Sequence, residues 1–145
     1  MEQQYTTLTK DINNIENKDA IVYAYIKSRM NYKTFIADNV TEKEISEKLG
    51  ISLSTVKRSV ARLKNNKNLI DKVIINNVIA EGSYKTYNKY YMAKCNENFF
   101  YIYNSFFNDD MNIAKASERT KLKNFLLKLK AICKKETNKY ISENP

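Results

Sequence analysis

The chain has 145 residues, which is the size of a single domain or of one domain with an appended helix. Its 25 basic and 16 acidic side chains give a net charge of +9, which favours a polyanionic partner. It has no histidine, and its two cysteines, Cys95 and Cys133, are far apart in the sequence. Because the commonest general base is missing and two distant thiols do not have the spacing of metal ligands, we predict no catalytic centre, no metal and no cofactor.

The N-terminal part of the chain contains one clear helical pattern. Residues 1–17 are polar, with apolar side chains spaced by four and three residues, which predicts a short amphipathic helix or a weakly ordered arm. Residues 18–30 repeat apolar side chains at helical spacing and predict the first helix. Residues 31–40 break that period and predict a loop with a short strand. We see no signal peptide and no membrane-spanning run, so we expect a cytoplasmic protein.

The next segment has strong helix start and stop signals. Thr41 is followed at the third position by Glu44, which is the pattern of a capping box. The helix that it opens is predicted over residues 42–49. Gly50 then ends the helix, because glycine tolerates the left-handed backbone of a sharp turn.

A second helix follows almost at once. Ile51 is expected to be buried in the turn, and Ser52 is placed to cap a helix that runs from Leu53 to Asn66. The apolar positions of this helix form one stripe, at Val56, Val60 and Leu63. Two short helices joined by a tight turn predict a helix-turn-helix.

The residues after this helix change to a strand-like pattern. Residues 69–80 are rich in valine and isoleucine, a turn is predicted around Gly82, and residues 84–93 alternate between two faces. Tyr90 and Met92 are expected on the inward face. A hairpin directly after a helix-turn-helix predicts the wing of a winged helix.

The C-terminal region, residues 95–145, is predicted to be helical. One helix is expected from Asn96 through the aromatic stretch that ends at Phe107, and a last helix over about 111–139. The last helix carries an apolar stripe at Leu122, Leu126, Leu129 and Cys133. This stripe predicts a homodimer through the C-terminal helices, or alternatively a helix folded back on its own winged domain.

Three segments carry a family resemblance. They are residues 21–26 of the first helix, residues 41–60, and residues 88–91 at the close of the wing. The second segment contains the motif Gly-Ile-Ser-x-Ser-Thr-Val-x-Arg at residues 50–58. Through them, residues 18–94 resemble the winged helix-turn-helix domains of low-GC bacterial and phage DNA-binding proteins. The resemblance implies a mainly α fold with a small β-hairpin wing, that is, an α+β fold, and double-stranded DNA as the partner.

In such a fold the second helix of the pair enters the major groove. The helix from Leu53 to Asn66 is therefore the expected recognition helix, with Arg58 and Arg62 as base readers because a guanidinium can bond both acceptors of a guanine edge. Hydroxyl groups at the start of this helix and several lysines are expected to contact the phosphates of the DNA backbone. These residues are Ser52, Ser54, Thr55, Lys57, Lys64, Lys85 and Lys89. The wing near Gly82 is expected to contact the adjacent backbone.

Three classes of function remain open at this point. The first is a sequence-specific DNA-binding protein, namely a transcription regulator or a plasmid or phage replication or partition factor. The second is a protein-interaction adaptor that uses the winged helix as a scaffold. An enzyme is the third, and the sequence offers no catalytic group for it.

Overall fold

The structure is a computed structural model, and it describes residues 5–15, 18–80, 82–94 and 98–132; for residues 14, 76–80 and 83–87 it describes the backbone alone. The strands of this part are β1 (Tyr5–Thr9), β2 (Ile36–Val40), β3 (Ile70–Ala80), β4 (Ser83–Met92) and β5 (Phe99–Tyr103). Its α-helices are α1 (Asp19–Ser28), α2 (Glu42–Leu49), α3 (Leu53–Leu63) and α4 (Ala116–Ile132). Short 3₁₀ helices span Lys10–Asn14 and Asn104–Asn108. The predicted α+β fold class is confirmed.

The central part of the chain is a winged helix. Its elements follow the order α1, β2, α2, α3, β3, β4, and the three strands form an antiparallel sheet in the order β2-β4-β3. The hairpin pairs Ala80 with Ser83 at the turn, so β3 and β4 form the predicted wing around Gly82. Tyr90 and Met92 are buried at its base, as their inward positions predict.

The predicted start and stop signals of the helix pair are confirmed. The Thr41 hydroxyl accepts a hydrogen bond from the Glu44 backbone N–H at 2.9 Å, which caps α2 and forms the first half of the predicted capping box. The Glu44 carboxylate, which would form the second half, bonds Tyr25 and Arg29. Gly50 has a φ of 64°, the left-handed conformation that ends the helix. The Ser52 hydroxyl accepts from the Thr55 N–H at 3.2 Å and caps α3. Helix α3 ends at Leu63, three residues before the predicted end, because the chain turns at residues 64–65.

The prediction of a helix around Phe99–Tyr103 is wrong, and so is a helix or arm at Tyr5–Thr9. The two segments pair as antiparallel strands, with Tyr5 opposite Tyr103 and Thr9 opposite Phe99. In β5 the exposed and buried side chains alternate, with Phe100 and Ile102 inside, as in a strand with one covered face. An aromatic or apolar residue at every position of β5 hides this alternation from the sequence.

Helix α4 begins at Ala116 and not near residue 111. The Asp109 and Asp110 carboxylates accept hydrogen bonds from the backbone N–H groups two residues on, at 2.9 and 3.0 Å, and so form turns before the helix. Its buried side is formed by Thr120, Lys123, Asn124, Leu127 and Ala131. Most of the predicted apolar stripe faces elsewhere, since Leu122 and Leu129 are exposed and Leu126 is half-buried; Cys133 lies outside the described residues.

Two buried polar side chains of α4 fix it to the helix-turn-helix. The Asn124 amide oxygen accepts a hydrogen bond from the Ile21 backbone N–H at 3.0 Å, and this bond caps the first turn of α1, where Lys18 makes no side-chain cap. The Thr120 hydroxyl donates to the Leu49 carbonyl at the end of α2. Residues of the flanking segments, such as Leu8 and Leu127, belong to the same buried cluster as the winged helix. Helix α4 therefore folds back on the winged helix along one of its sides.

Candidate nucleic-acid interface

The face of α3 that points away from the core is polar, and it is the reading surface that the sequence predicts. Val56, Val60 and Leu63 are buried, as predicted. Opposite them, side chains spaced by four, three and four residues are exposed, namely Ser54, Arg58, Ala61 and Asn65. Residues 53–67 contain five basic side chains and no acid. This face combines hydrogen-bonding groups with positive charge, which is what the major groove of DNA requires.

A cluster of hydroxyl groups surrounds the start of α3. The Ser52 Oγ lies 2.8 Å from the Thr55 Oγ1 and 3.2 Å from the Ser54 Oγ. The Arg58 Nη2 donates to the Thr55 Oγ1 at 3.4 Å, and Arg58 remains exposed. Hydroxyls beside the first N–H groups of a helix are suited to an anionic oxygen. The structure thus brings together four of the residues singled out in the sequence.

Arg62 has a partner within the protein. Its Nε and Nη2 donate to the two carboxylate oxygens of Asp19 at 2.7 and 2.8 Å. Asp19 is buried and also accepts a hydrogen bond from the Ser59 hydroxyl at 2.6 Å. This network ties the first turn of α1 to α3. It occupies one edge of the guanidinium, so Arg62 is less suited than Arg58 to read a base.

Lysines flank the reading surface on the side toward α2 and the wing. The Lys57 ammonium lies 3.0 Å from Glu42, while Lys64 is exposed just after the end of α3. On the wing, the Lys89 ammonium lies 3.9 Å from Asp38 of β2. The backbone of Lys85 pairs with Val78 near the turn, but its side chain lies outside the described residues.

Two buried tyrosines hold the surrounding scaffold. The Tyr25 hydroxyl donates to Glu44 at 2.6 Å, and Arg29 pairs with the same carboxylate, which joins the end of α1 to the start of α2. Burial, with the hydrogen bond to Glu44 second, raises the pKa of Tyr25 to about 12. Burial likewise raises the pKa of Tyr90 to about 12, although the Asn88 amide donates to its hydroxyl at 3.0 Å.

A groove of about 570 Å³ separates α3 from α4. Its lining is basic and comes from α3, α4 and the residue that precedes α1: Lys18, Thr55, Arg58, Arg62, Lys121, Asn124, Phe125 and Lys128. Sequence analysis missed Lys18, Lys121 and Lys128. The seven-residue spacing of Lys121 and Lys128 puts them on one side of a helix, but only the folded position of α4 shows that this side faces α3.

The described residues contain no group of cysteine and acidic side chains that could hold a metal ion. In the same part of the chain, no helix combines the length and the apolar character needed to cross a membrane.

A winged helix-turn-helix whose second helix exposes an acid-free basic face is an architecture of DNA-binding proteins. Comparison with known families agrees, because residues 38–66 match the family model described as winged helix-turn-helix DNA-binding. The match covers the end of β2 and all of α2 and α3. No curated protein and no solved structure matches the chain.

Proposed function

We propose that the protein binds double-stranded DNA in a sequence-dependent manner, with α3 in the major groove and the β3–β4 wing on the adjacent backbone. The observation that carries this proposal is the outward face of α3, where Arg58 is exposed among small and polar side chains and no acid is present. Basic side chains attract the phosphate backbone, and a guanidinium bonds both acceptors of a guanine. The family match over residues 38–66 supports the same partner.

The proposed roles follow from the position of each residue on α3 or on the wing. Arg58 reads a base because it is exposed in the middle of the reading surface. Ser52, Ser54 and Thr55 position the helix on a phosphate, since their hydroxyls cluster at its start. The lysines contact phosphates on the flank toward α2 and the wing, namely Lys57, Lys64, Lys85 and Lys89. Arg62 contributes charge at the edge of the surface while its contact with Asp19 fixes α3 to α1.

The first experiment measures binding of a labelled AT-rich duplex by fluorescence anisotropy at a series of salt concentrations. We expect affinity to fall steeply as salt rises, because each phosphate contact releases counterions. Binding that does not depend on salt, or no binding at the lowest salt concentration, would reject duplex DNA as the partner.

The second experiment separates base reading from phosphate binding. Binding to a randomised duplex library is compared for Arg58→Ala and for Lys64→Ala, a variant just after the end of α3 that also removes one charge. Arg58→Ala should cost about 1–3 kcal/mol on the preferred site and relax the preference at one position. Lys64→Ala should weaken binding to all sequences of the library evenly. An even loss for both variants would contradict the role of Arg58.

We further propose that the protein is not an enzyme and that it acts as a transcription regulator or as a plasmid or phage replication or partition factor. Footprinting on the DNA that flanks its gene distinguishes these roles. Protection of a promoter supports regulation, protection of an origin supports replication, and protection of tandem repeats beside a gene for a filament-forming NTPase supports partition. Protection of none of these would contradict all three roles.

We also propose that two copies pair through the outward side of α4. Exposed apolar side chains recur along that side at a spacing of three, four and three residues: Leu122, Phe125, Leu129 and Ile132. Phe125 lies at its edge, where it also lines the groove toward α3. This is the seam spacing of paired helices. A second copy fits the seam because a two-fold dimer presents two recognition helices to two half-sites of a duplex.

Sedimentation equilibrium of the 17.0 kDa chain tests the pairing. We expect a dimer at micromolar concentration and a monomer for the neutral double variant Leu122→Gln/Leu129→Gln. The matched control is Ile74→Gln/Ile75→Gln, which removes two exposed apolar side chains from the wing. A monomeric wild-type chain, or a seam variant as dimeric as the control, would reject this interface.

A further inference from the structure

We propose that the groove between α3 and α4 holds a stretch of the DNA phosphate backbone, so that α4 is a second DNA-contacting helix beside the recognition helix. This inference rests on the proposed function, because it assigns a further part of the surface that the duplex would occupy. Helix α4 lies outside residues 38–66, where the chain matches the winged helix family.

The first observation is the charge of the groove. Five of its lining side chains are cationic and none is acidic, and they come from α3, α4 and the residue before α1: Lys18, Arg58, Arg62, Lys121 and Lys128. Within the described residues, Arg62 alone among these five forms an ion pair with an acid, Asp19. Like charges gathered along one groove repel each other, and a bound polyanion relieves that repulsion. A backbone of phosphates is the ligand that this charge pattern favours.

The second observation is the shape of the array. Lys121 and Lys128 are seven residues apart on α4, which places them about 10 Å apart along the helix axis. One strand of duplex DNA carries a phosphate about every 3.4 Å along its axis. The two lysines therefore span a distance comparable with a few successive phosphates. Arg58 and Thr55 of α3 line the opposite wall.

The third observation is the place of the groove relative to the reading surface. Lys57 and Lys64 lie on the flank of α3 toward α2 and the wing, and the groove lies on the other flank. A major groove is bordered by two phosphate backbones, one on each side of an inserted helix. With α4 in place, cations stand on both sides of Arg58, so each backbone meets positive charge.

The test uses the full chain and a single preferred duplex, with affinity measured over a salt series. Lys121→Ala/Lys128→Ala removes two cations from the groove. The matched control, Lys33→Ala/Lys94→Ala, removes two exposed cations at the base of the sheet, at the end opposite the wing turn. We expect the groove variant to bind about tenfold or more weakly at moderate salt. We also expect its slope of log affinity against log salt to fall by about two, because each phosphate contact contributes roughly one. The control should bind like wild type.

Two further measurements keep the result interpretable. The preference of the groove variant across a randomised library should remain that of wild type, since phosphate contacts carry no sequence information. Lys121→Arg/Lys128→Arg should restore affinity and slope, which shows that the loss comes from charge and not from misfolding. A groove variant with wild-type affinity and slope, in a protein that binds duplex DNA, would overturn the inference. A wild-type protein that binds no duplex at all would overturn the proposed function itself.

Discussion

Gly50 offers a sharp test of how α4 sits on the helix-turn-helix. Its φ of 64° lies in the left-handed region, where a side chain is strained. A Cβ added at this position would also overlap the Cβ of Ala116, the first residue of α4, and would lie 3.2 Å from its carbonyl carbon. Gly50→Ala should therefore destabilise the protein for two separate reasons.

Gly82 separates the two reasons. Its φ is also positive, at 78°, but no atom lies within 4 Å of the place where a Cβ would stand. The left-handed backbone costs about 1–2 kcal/mol for a residue other than glycine. Forcing an extra methyl group into a packed contact costs about 1–3 kcal/mol more. We therefore expect Gly82→Ala to cost about 1–2 kcal/mol and Gly50→Ala about 2–5 kcal/mol.

Urea unfolding followed by circular dichroism measures both free energies of unfolding. In a double-mutant cycle, Ala116→Gly opens the space that the new methyl group needs, so its combination with Gly50→Ala should bring the cost down to that of Gly82→Ala. Equal costs for the two single glycine variants, or no coupling between residues 50 and 116, would refute the packing of α4 against this turn.

Other predictions concern the buried polar contacts. Asn124→Ala should destabilise the protein by about 1 kcal/mol in urea unfolding, because the N-terminus of α1 loses its cap; an unchanged free energy would contradict that role. Asp19→Asn should cost about 1–2 kcal/mol, because Ser59 and Arg62 lose a charged acceptor while Arg62 itself stays partly in solvent. If Arg62→Met lowers DNA affinity but not stability, Arg62 acts on DNA and not on the fold. Tyr25 and Tyr90 have pKa values raised to about 12 in the folded chain, against 10.0 for the unfolded side chain. Their contribution to the free energy of unfolding is complete below pH 10 and is lost as the pH rises toward 12. Tyr90→Phe should reduce this loss in an alkaline unfolding series. An equally steep loss in the variant would contradict the role of Tyr90.

Sequence reasoning located the winged helix because its signals are local. The hydroxyl of Thr41, the freedom of Gly50 and the hydroxyl of Ser52 each act within a few residues of the chain. The alternation of β4 is equally local, since Tyr90 and Met92 fall on one face of the strand and Lys89 and Tyr91 on the other. The end of α3 was placed three residues too late, because the turn after Leu63 contains polar residues that a helix also tolerates.

The surrounding elements were harder to predict because their partners are distant in the sequence. Tyr5–Thr9 and Phe99–Tyr103 form strands only by pairing with each other across most of the chain. In α4 the apolar period pointed to the wrong side, because three of the five buried positions are polar. Asn124 and Thr120 are buried there because they satisfy backbone groups at the ends of α1 and α2, and Lys123 lies over the ring of Phe106. The basic groove is not visible in the sequence either, since Lys121 and Lys128 become neighbours of Arg58 only once α4 has packed against the winged helix.

The way α4 is anchored bears directly on how the groove would bind. Its buried hydrogen bonds reach the end of α2, through Thr120, and the start of α1, through Asn124. The start of α1 is in turn bound to α3 through Asp19 and Arg62. Helices α3 and α4 are therefore held by the same small set of buried bonds, and the spacing between Arg58 and the lysines of α4 is set by the fold before any ligand arrives. A cation array fixed in advance loses less conformational freedom on binding than flexible lysines on a tail, so more of its electrostatic attraction is retained as affinity. By this reasoning Asn124→Ala, which loosens α4 without removing a charge, should weaken duplex binding as well as stability.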